Sequence, residues 1–234
     1  MDTLPAALPT VEEIKAGDHF NIRGRLWGSR EVAKVGPHFI VKYGEAVDLI
    51  EAENMLFVMR NCNIPIPKLY AAYTGEDDVK YIAMQYIPSP ALTGCWDDLL
   101  LYPIGEKESS IAGPFDTQAD LNQGYANQLL EVNRPRRNAE FYSRALPRFL
   151  KGHKPVFTHA DLQLKNLVLD GNGKVFIIDW EDAGFYPTYW EYYVALTGAS
   201  YDWSSDWSEY IPLILDEYLV KFAWLDRIRM ELWL

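Results

Sequence analysis

The stretch Thr158–Asp170 reads THADLQLKNLVLD, and residues 171–184 continue it as GNGKVFIIDWEDAG. Two apolar runs, Leu167–Leu169 and Val175–Ile178, flank the turn sequence Asp-Gly-Asn-Gly. Glycine and asparagine tolerate the positive φ angles of tight turns, so this pattern predicts a β-hairpin. In a short hairpin, residues just before the first strand lie near residues just after the second one.

Three polar side chains flank the predicted hairpin. Asp161 and Asn166 precede its first strand, and Asp179 follows its second. Carboxylate and amide oxygens that converge in this way suit Mg²⁺, which prefers hard oxygen ligands and retains several waters. Taken singly, each of these residues is also typical of turns, caps and strand ends. The metal-binding interpretation therefore depends on the three residues occurring together.

The spacing of these residues is more specific than their types. The arrangement His159-x-Asp161-x4-Asn166, followed thirteen positions later by Asp179, resembles the catalytic and metal-binding loops of the kinase-like fold. The wider text is similar to the aminoglycoside phosphotransferase and choline kinase family, and to the fungal phosphotransferase enzyme family proteins. The resemblance implies that Asp161 is the base, and that Asn166 and Asp179 hold Mg²⁺ against the ATP phosphates. His159 would order the loop rather than react.

The sequence departs from the family pattern at several points. Ala160 stands where glycine is frequent in the family. Lys165 lies beside the predicted metal ligand Asn166, where it could contact the γ-phosphate as part of the catalytic loop. The segment around Leu99–Ser110, before the catalytic loop, is shorter than in most family members.

A kinase-like protein also needs a lysine on an upstream strand and a glutamate on the next helix that orients it. Lys42 in HFIVKYG is the candidate lysine, although a lysine placed in this way can also be a plain edge-strand charge. The following helix offers Glu51 and Glu53, and helical periodicity does not choose between them. The resemblance favours Glu51, with Glu53 in reserve, and either one could be a solvated helix charge.

Two further nucleotide contacts are predicted in the first third of the chain. The strand YIAMQYI resembles the hinge strand that binds adenine through its backbone, which assigns Gln85, Tyr86 and Ile87 to cofactor binding. The stretch GRLWGS lacks a complete G-x-G-x-x-G motif. Gly28 and Ser29 are where the phosphate loop of this family would fall, and outside that context they indicate only a turn.

The acceptor is predicted to carry a cationic amine. Residues 181–234 contain ten acidic residues against three basic ones, interleaved with aromatic residues. Carboxylates and aromatic faces together bind ammonium groups. The alternative places the acids on solvated helix faces and the aromatic residues, Trp190 among them, in the core. The candidate substrate contacts are Glu181, Asp182, Trp190 and Glu191.

The predicted elements describe an α+β protein with a two-lobed protein-kinase-like fold. A small β-rich N-terminal lobe with one helix, residues 1–87, would bind the nucleotide. A mainly helical C-terminal lobe, residues 88–234, would carry catalysis and the acceptor. The pattern predicts a hairpin turning at Gly36-Pro37. It also predicts strands over residues 69–73 and 79–87 and helices over residues 45–60, 118–130, 138–150 and 210–234.

Composition limits the partners and the compartment. A formal net charge of −11 over 234 residues argues against a nucleic-acid or anionic-membrane surface. No run of eighteen apolar residues predicts a membrane span, and the first residues do not resemble a secretory signal. The two cysteines, Cys62 and Cys95, are expected as reduced thiols in a cytoplasmic protein. The oligomeric state is not indicated.

The predicted function is phosphoryl transfer from ATP, with Mg²⁺, to a hydroxyl of a small-molecule acceptor. Two alternatives stay open. One is a pseudokinase or binding module without turnover, which the incomplete glycine loop and the short middle segment favour. The other is an enzyme with a different chemistry on the same scaffold.

Overall fold

The computed structural model describes residues 4–20, 30–76, 78–89, 114–132, 134–201 and 206–233. The chain forms two compact units. One comprises Met1–Leu100 and Gln163–Ala183, and the other comprises Leu101–Leu162 and Gly184–Leu234. The segment Gln163–Ala183 thus belongs with the N-terminal residues, whereas the predicted boundary placed it in the second lobe. The assignment of functions to residues 1–87 and 88–234 stays a prediction.

The first unit is built on an antiparallel sheet of five strands: β1 (Asp18–Phe20), β2 (Glu31–Val35), β3 (Phe39–Gly44), β4 (Leu69–Thr74) and β5 (Lys80–Gln85). Their order across the sheet is β1-β2-β3-β5-β4. Gly36 turns the predicted β2–β3 hairpin at a φ of 60°, a left-handed angle that glycine adopts without steric cost. Because β3 pairs with β2 on one side and β5 on the other, Lys42 is not on an edge strand, and that alternative is wrong.

Among the described residues of this unit, two helices accompany the sheet: α1 (Val11–Lys15) and α2 (Ile50–Asn61). α1 begins with a capping box, in which Thr10 and Glu13 each accept a hydrogen bond from the other's backbone N–H. α2 starts later than the predicted residue 45, because a turn in which Val47 donates to the carbonyl of Gly44 precedes it. It ends before the proline-containing stretch, as predicted.

The two faces of β3 have different environments. Side chains alternate across a strand, so Val41 and Tyr43 lie on one face and Lys42 lies on the other. The face with Val41 and Tyr43 carries an apolar cluster that includes Ile14 of α1. A smaller cluster joins Val47, Ala52 of α2 and Ile82 of β5.

The predicted hairpin is present and belongs to the first unit. A short 3-10 helix, Leu164–Asn166, leads into β7 (Leu167–Leu169), which pairs with β8 (Val175–Ile177). The Asp170 side chain accepts hydrogen bonds from the backbone N–H groups of Asn172 and Lys174, which closes the turn. The N–H of Ile177 donates to the carbonyl of Pro65, which anchors the hairpin on the residues that follow α2.

The second unit is mainly helical. Its helices are α3 (Gln118–Glu131), α4 (Arg136–Phe149), α5 (Trp190–Tyr201), α6 (Trp207–Ile214) and α7 (Leu219–Trp233). A two-stranded sheet of β6 (Pro155–Thr158) and β9 (Gly184–Pro187) completes the unit. The predictions for α3 and α4 are confirmed. Residues 210–234 do not form one helix, because Leu215 adopts an extended backbone that ends α6.

Helices α3, α4, α5 and α7 share one apolar core, and Trp190 packs partly buried against it. None of the described helices is both long and apolar enough to cross a membrane. The short segment around Leu99–Ser110 lies outside the described residues. The buried members of the core are Tyr125, Leu129, Ala139, Tyr142, Leu146, Leu150, Tyr189, Tyr193, Val194, Leu225 and Ile228.

Candidate active site

Lys42 on β3 is almost fully buried, with 7 % of its surface exposed, and its ammonium group contacts three carboxylates. Nζ lies 2.8 Å from one oxygen of each: Glu51 Oε2, Asp179 Oδ1 and Glu181 Oε2. Burial alone would lower the pKa of this lysine. The three carboxylates outweigh burial and raise the pKa of Lys42 well above its ordinary value, so the lysine keeps its charge.

Of the two candidate glutamates on α2, the structure places Glu51 against Lys42. Glu51 is 1 % exposed, whereas Glu53 points to solvent. Burial, with smaller contributions from Asp179 and Glu181, raises the pKa of Glu51 to about 7 against the lowering effect of Lys42. The charge of one lysine, shared among three carboxylates, does not fully offset the cost of burying the charged form of Glu51.

Glu181 forms a second ion pair, with a residue that the sequence analysis missed. Arg30 Nη1 lies 2.7 Å from Glu181 Oε1, and Arg30 Nη2 donates to the carbonyl of Ala46 at 3.3 Å. Glu181 was predicted to contact the acceptor, but here its two oxygens bind Lys42 and Arg30. Arg30 directly follows the predicted phosphate loop at Gly28-Ser29, and this position in the sequence could have indicated a cation near the candidate site.

The hairpin brings the two predicted metal ligands to one place in the first unit. Asn166 is 2 % exposed, and its carbonyl accepts the N–H of Ile178, the residue before Asp179. Carboxylate oxygens of Glu51, Asp179 and Glu181 lie within 4.8 Å of one another. These hard oxygen donors, with the amide of Asn166, fit a divalent cation such as Mg²⁺. Lys165 is half-buried beside Asn166 in the 3-10 helix.

The predicted catalytic loop follows β6 in the second unit. His159 and Asp161 are buried, with 4 % and 7 % of their surfaces exposed. The backbone N–H of Asp161 donates to His159 Nδ1 at 3.2 Å, so the histidine ring contacts the loop backbone. The ordering role of His159 stays a prediction. Ala160 between them adopts a φ of 65°, in the left-handed region that alanine rarely occupies.

Glu191, at the start of α5, holds this loop from the other side. Its carboxylate accepts the N–H of His159 at 2.7 Å and the N–H of Ala160 at 3.2 Å. Burial and the nearby charge of Asp161 raise the pKa of Glu191 to about 7, against the lowering effect of the backbone hydrogen bonds. Glu191 was predicted as an acceptor contact, and its observed contacts are to the loop backbone.

Residues 106–230, more than half of the chain, match the Phosphotransferase enzyme family. This chain belongs to that family. The matching region contains the His159–Asp161 loop, the hairpin and Asp179, whereas Lys42 and Glu51 lie upstream of it. A comparison of the sequence with curated proteins found no match.

Solved structures show that this phosphotransferase family member has the predicted α+β, protein-kinase-like fold. Choline kinase LicA from Streptococcus pneumoniae has a TM-score of 0.53 at 16 % identity, over 91 % of this chain and 82 % of its own. Aminoglycoside phosphotransferase APH(4)-Ia has a TM-score of 0.51 at 15 % identity, over 95 % and 81 %. A thermostable mutant of the latter, solved with ADP and hygromycin B, has a TM-score of 0.50 at 16 % identity, over 82 % and 79 %.

The remaining predicted site residues of this phosphotransferase have varied surroundings. Gln85 and Tyr86 donate their backbone N–H groups to the carbonyls of Lys68 and His38. Asp182 is exposed. Trp190 stacks on Tyr186 at 5.4 Å between ring centroids and packs against the second-unit core, as its alternative assignment to the core predicted. Gly28 and Ser29 lie outside the described residues.

Proposed function

We propose that this phosphotransferase transfers the γ-phosphoryl group of Mg·ATP to a hydroxyl of a small molecule. The observation that carries the proposal is the contact of the buried Lys42 with Glu51 of α2 and with Asp179 of the hairpin. A lysine held in this way beside a metal-binding aspartate is suited to nucleotide phosphates. Lys42 and Glu51 lie outside the residues that match the family, 106–230. Their contacts with Asp179 are the reason to assign the N-terminal residues a part in phosphoryl transfer.

On the nucleotide side, Lys42 binds the α- and β-phosphates, and Glu51 keeps its ammonium group in place. Asn166 and Asp179 would hold Mg²⁺ through oxygen atoms that suit this ion. When bound, Mg²⁺ neutralises negative charge on the phosphates that Lys42 also contacts. Lys165, beside Asn166, supplies a cation for the γ-phosphate.

The predicted hinge acts through its backbone. Because the amides of Gln85 and Tyr86 already donate within the first unit, Ile87 is the hinge residue whose amide serves adenine. Among the residues that the structure describes, the Ile87 amide has no hydrogen-bond acceptor. The side chain of Gln85 accepts the N–H of Lys68 and so supports the strand rather than the base.

The transfer itself uses Asp161 as the general base. Asp161 accepts the proton of the acceptor hydroxyl, and the hydroxyl oxygen forms a bond to the γ-phosphorus. The bond between that phosphorus and the β,γ-bridging oxygen breaks, and ADP leaves. His159 and Glu191 position the backbone of the loop that carries Asp161.

A groove of about 410 Å³ in the second unit is the proposed acceptor site. It lies against Thr158, the residue before His159, and combines carboxylates with tyrosine rings, which suits an amine-bearing acceptor. Glu191 is the one predicted substrate residue on its wall, and Asp216 is the exposed acid there. The lining residues are Val156, Phe157, Thr158, Thr188, Glu191, Tyr192, Ile214, Leu215, Asp216 and Tyr218.

A cytoplasmic location is part of this proposal, because the reaction consumes ATP and the chain has few cysteines. Cys62 is a free, half-buried thiol. Cys95 lies outside the described residues.

Thermal unfolding with and without nucleotide tests the proposal. A ligand at a hundred times its dissociation constant stabilises the folded state by about 2.7 kcal/mol. For a chain of this size that free energy raises the melting temperature by roughly 5–10 °C. The increase should require both ATP or ADP and Mg²⁺ or Mn²⁺. The absence of any shift with these combinations, or with GTP, would remove the proposed function.

Two aspartate variants separate the proposed roles. Asp179→Asn should abolish metal-dependent nucleotide binding, because an amide is a weak ligand for Mg²⁺. Asp161→Asn should keep binding and lose turnover, because only the base is removed. ADP release with a pooled library of amines, amino alcohols and sugars measures turnover. Nucleotide binding without ADP release from any acceptor would favour the binding-module alternative.

A further inference from the structure

Arg30 immediately precedes β2 and lies close to Lys42 of β3. Val32 of β2 pairs directly with Lys42 of β3, and Arg30 precedes Val32 by two positions. Arg30 stands one position before β2, and its side chain reaches the same Glu181 carboxylate as Lys42. The residue before Arg30 is Ser29, the last residue of the predicted phosphate loop.

One carboxylate bridges the two cations. Glu181 Oε1 lies 2.7 Å from Arg30 Nη1, and Glu181 Oε2 lies 2.8 Å from Lys42 Nζ. The guanidinium and ammonium groups are therefore separated by a single carboxylate. Both cations are therefore close enough to contact the same anionic group.

The guanidinium of Arg30 is only partly used by the protein. Its two terminal nitrogens contact Glu181 and the carbonyl of Ala46. Its Nε is buried and has no hydrogen-bond partner among the described residues. Because a buried charged donor without an acceptor is costly, an anionic group that accepted a hydrogen bond from Nε would stabilise this site.

We infer that Arg30 is a second phosphate-binding cation, which acts with Lys42 on the polyphosphate of the nucleotide. The inference rests on the proposed function. A guanidinium presents parallel donors that match two oxygens of a phosphate, a geometry that the lysine cannot offer. In the absence of nucleotide, Glu181 neutralises both cations, and phosphate oxygens replace its carboxylate when the nucleotide binds.

The charges around Lys42 favour such an exchange. Two cations, Arg30 and Lys42, face three carboxylates in the described structure. If Asp179 and Glu181 held a divalent cation, Lys42 and Arg30 would lose carboxylate partners. Each cation then gains phosphate oxygens, so no buried charge is left unpaired.

A structural role for Arg30 predicts different behaviour. If Arg30 only neutralises Glu181, its loss should matter only while Glu181 is charged. If Arg30 binds phosphate, its loss should weaken nucleotide binding whether or not Glu181 is charged. A double-mutant cycle with Arg30→Gln, Glu181→Gln and the pair of changes separates the two cases.

Calorimetric titration of the four proteins with Mg·ADP is the test. We expect Arg30→Gln to weaken Mg·ADP binding by about ten- to hundred-fold in both backgrounds, as for a lost charge-assisted contact. Adenosine, measured by competition, should lose less than about two-fold, since it has no phosphate for Arg30 to contact. Arg30→Lys, which keeps the charge and loses the parallel donors, should fall between wild type and Arg30→Gln, and it replaces Arg30→Gln if that variant is unfolded.

Three results would overturn this inference: unchanged Mg·ADP affinity in Arg30→Gln, an effect that disappears in the Glu181→Gln background, or an equal loss for adenosine. Wild-type protein that fails to bind Mg·ADP would instead remove the proposed function, and this inference with it. Wild-type binding together with an unaffected Arg30 variant removes only the inference.

Discussion

Ala160 and Asp179, two residues of the predicted motif, adopt left-handed φ angles of 65° and 64°. Aspartate enters this region more readily than alanine, whose Cβ meets the neighbouring carbonyl oxygen. The amide groups of His159 and Ala160 both donate to Glu191, and these bonds hold the strained backbone in place. Glycine, which the sequence resemblance led us to expect at position 160, would adopt this φ angle without steric cost.

Ala160→Gly should stabilise the protein. Removing the Cβ relieves a backbone cost of roughly 1–2 kcal/mol, part of which is lost again to the greater freedom of glycine in the unfolded chain. We expect a net gain of about 0.5–1 kcal/mol in the free energy of unfolding, measured by urea denaturation. Ala145→Gly in α4 is the control, and it should destabilise, because a helix interior disfavours glycine. An equal loss of stability in the two variants would show that the backbone of Ala160 is not strained.

Glu191 should make the stability depend on pH. The unfolded carboxyl has its ordinary pKa of 4.5, whereas burial raises the pKa of the folded Glu191 carboxyl to about 7. Its contribution to stability is therefore fully present below the lower value and is lost as the pH rises through the upper one. The loss is on the order of 3 kcal/mol, because the two pKa values differ by about 2.5 and each pKa unit corresponds to 1.36 kcal/mol.

Glu191→Gln removes this titration while keeping one oxygen acceptor for the loop. The stability of wild type relative to Glu191→Gln should fall as the pH is raised from 5 to 8, measured by urea denaturation at several pH values. Parallel pH profiles for the two proteins would show that the carboxyl does not titrate in this range.

The ion cluster could be predicted only in part from the sequence. The order of motifs indicated Lys42, and the resemblance favoured Glu51 over Glu53. The Arg30–Glu181 pair joins residues 151 positions apart, and no local pattern links a residue just before β2 to one after the hairpin. For the same reason Glu181 was expected at the acceptor rather than at Lys42.

Helix α2 supports the candidate site with two side chains on one face. Glu51 contacts Lys42, and Asn54, three residues later, donates through Nδ2 to the carbonyls of Trp180 and Ala183, both at 2.9 Å. Residues three apart on a helix are neighbours on its surface. One helix therefore positions both the lysine and the segment that follows Asp179.

Asn54→Ala should weaken this support. The carbonyl of Ala183 loses the Asn54 amide as its donor, and the carbonyl of Trp180 keeps the N–H of Ala183, which costs about 1–3 kcal/mol of stability. Mg·ADP affinity should fall several-fold, because the segment that carries Asp179 and Glu181 loses an anchor. Asn61→Ala, an exposed position on the same helix whose side chain bonds only the carbonyl of Phe57, is the matched control. The role of α2 would be refuted if both variants bound Mg·ADP like wild type.

Elements with strong local signals were predicted well, and elements that depend on distant partners were not. The β2–β3 and β7–β8 hairpins have turn residues between alternating or apolar runs, so local chemistry determines them. β6 and β9 are short, contain proline or glycine, and form a sheet only by pairing with each other across the intervening hairpin. The break between α6 and α7 has no proline or glycine to mark it.

At the scale of the whole molecule, the net charge of −11 is concentrated after residue 180. Several of these acids have partners inside the protein. Glu181 pairs with Arg30 and Lys42, Glu191 accepts backbone N–H groups, and Asp226 pairs with Arg229. The surplus that can act on a ligand is therefore smaller than the composition indicates.

An acceptor with a cationic amine near its hydroxyl should be preferred to its uncharged isostere. The groove in the second unit brings Asp216 together with Tyr192 and Tyr218, and a carboxylate with aromatic faces attracts an ammonium group. Such contacts contribute on the order of 1–3 kcal/mol, or roughly five- to hundred-fold in kcat/KM.

The measurement compares an amino alcohol with its neutral isostere at a fixed salt concentration, since exposed charges are screened. Asp216→Asn should reduce the preference, whereas Glu209→Gln, which removes an exposed acid of α6 outside the groove, should leave it unchanged. Equal kcat/KM for the two acceptors in wild type would assign these acids to the solvated surface and remove the amine from the proposed substrate.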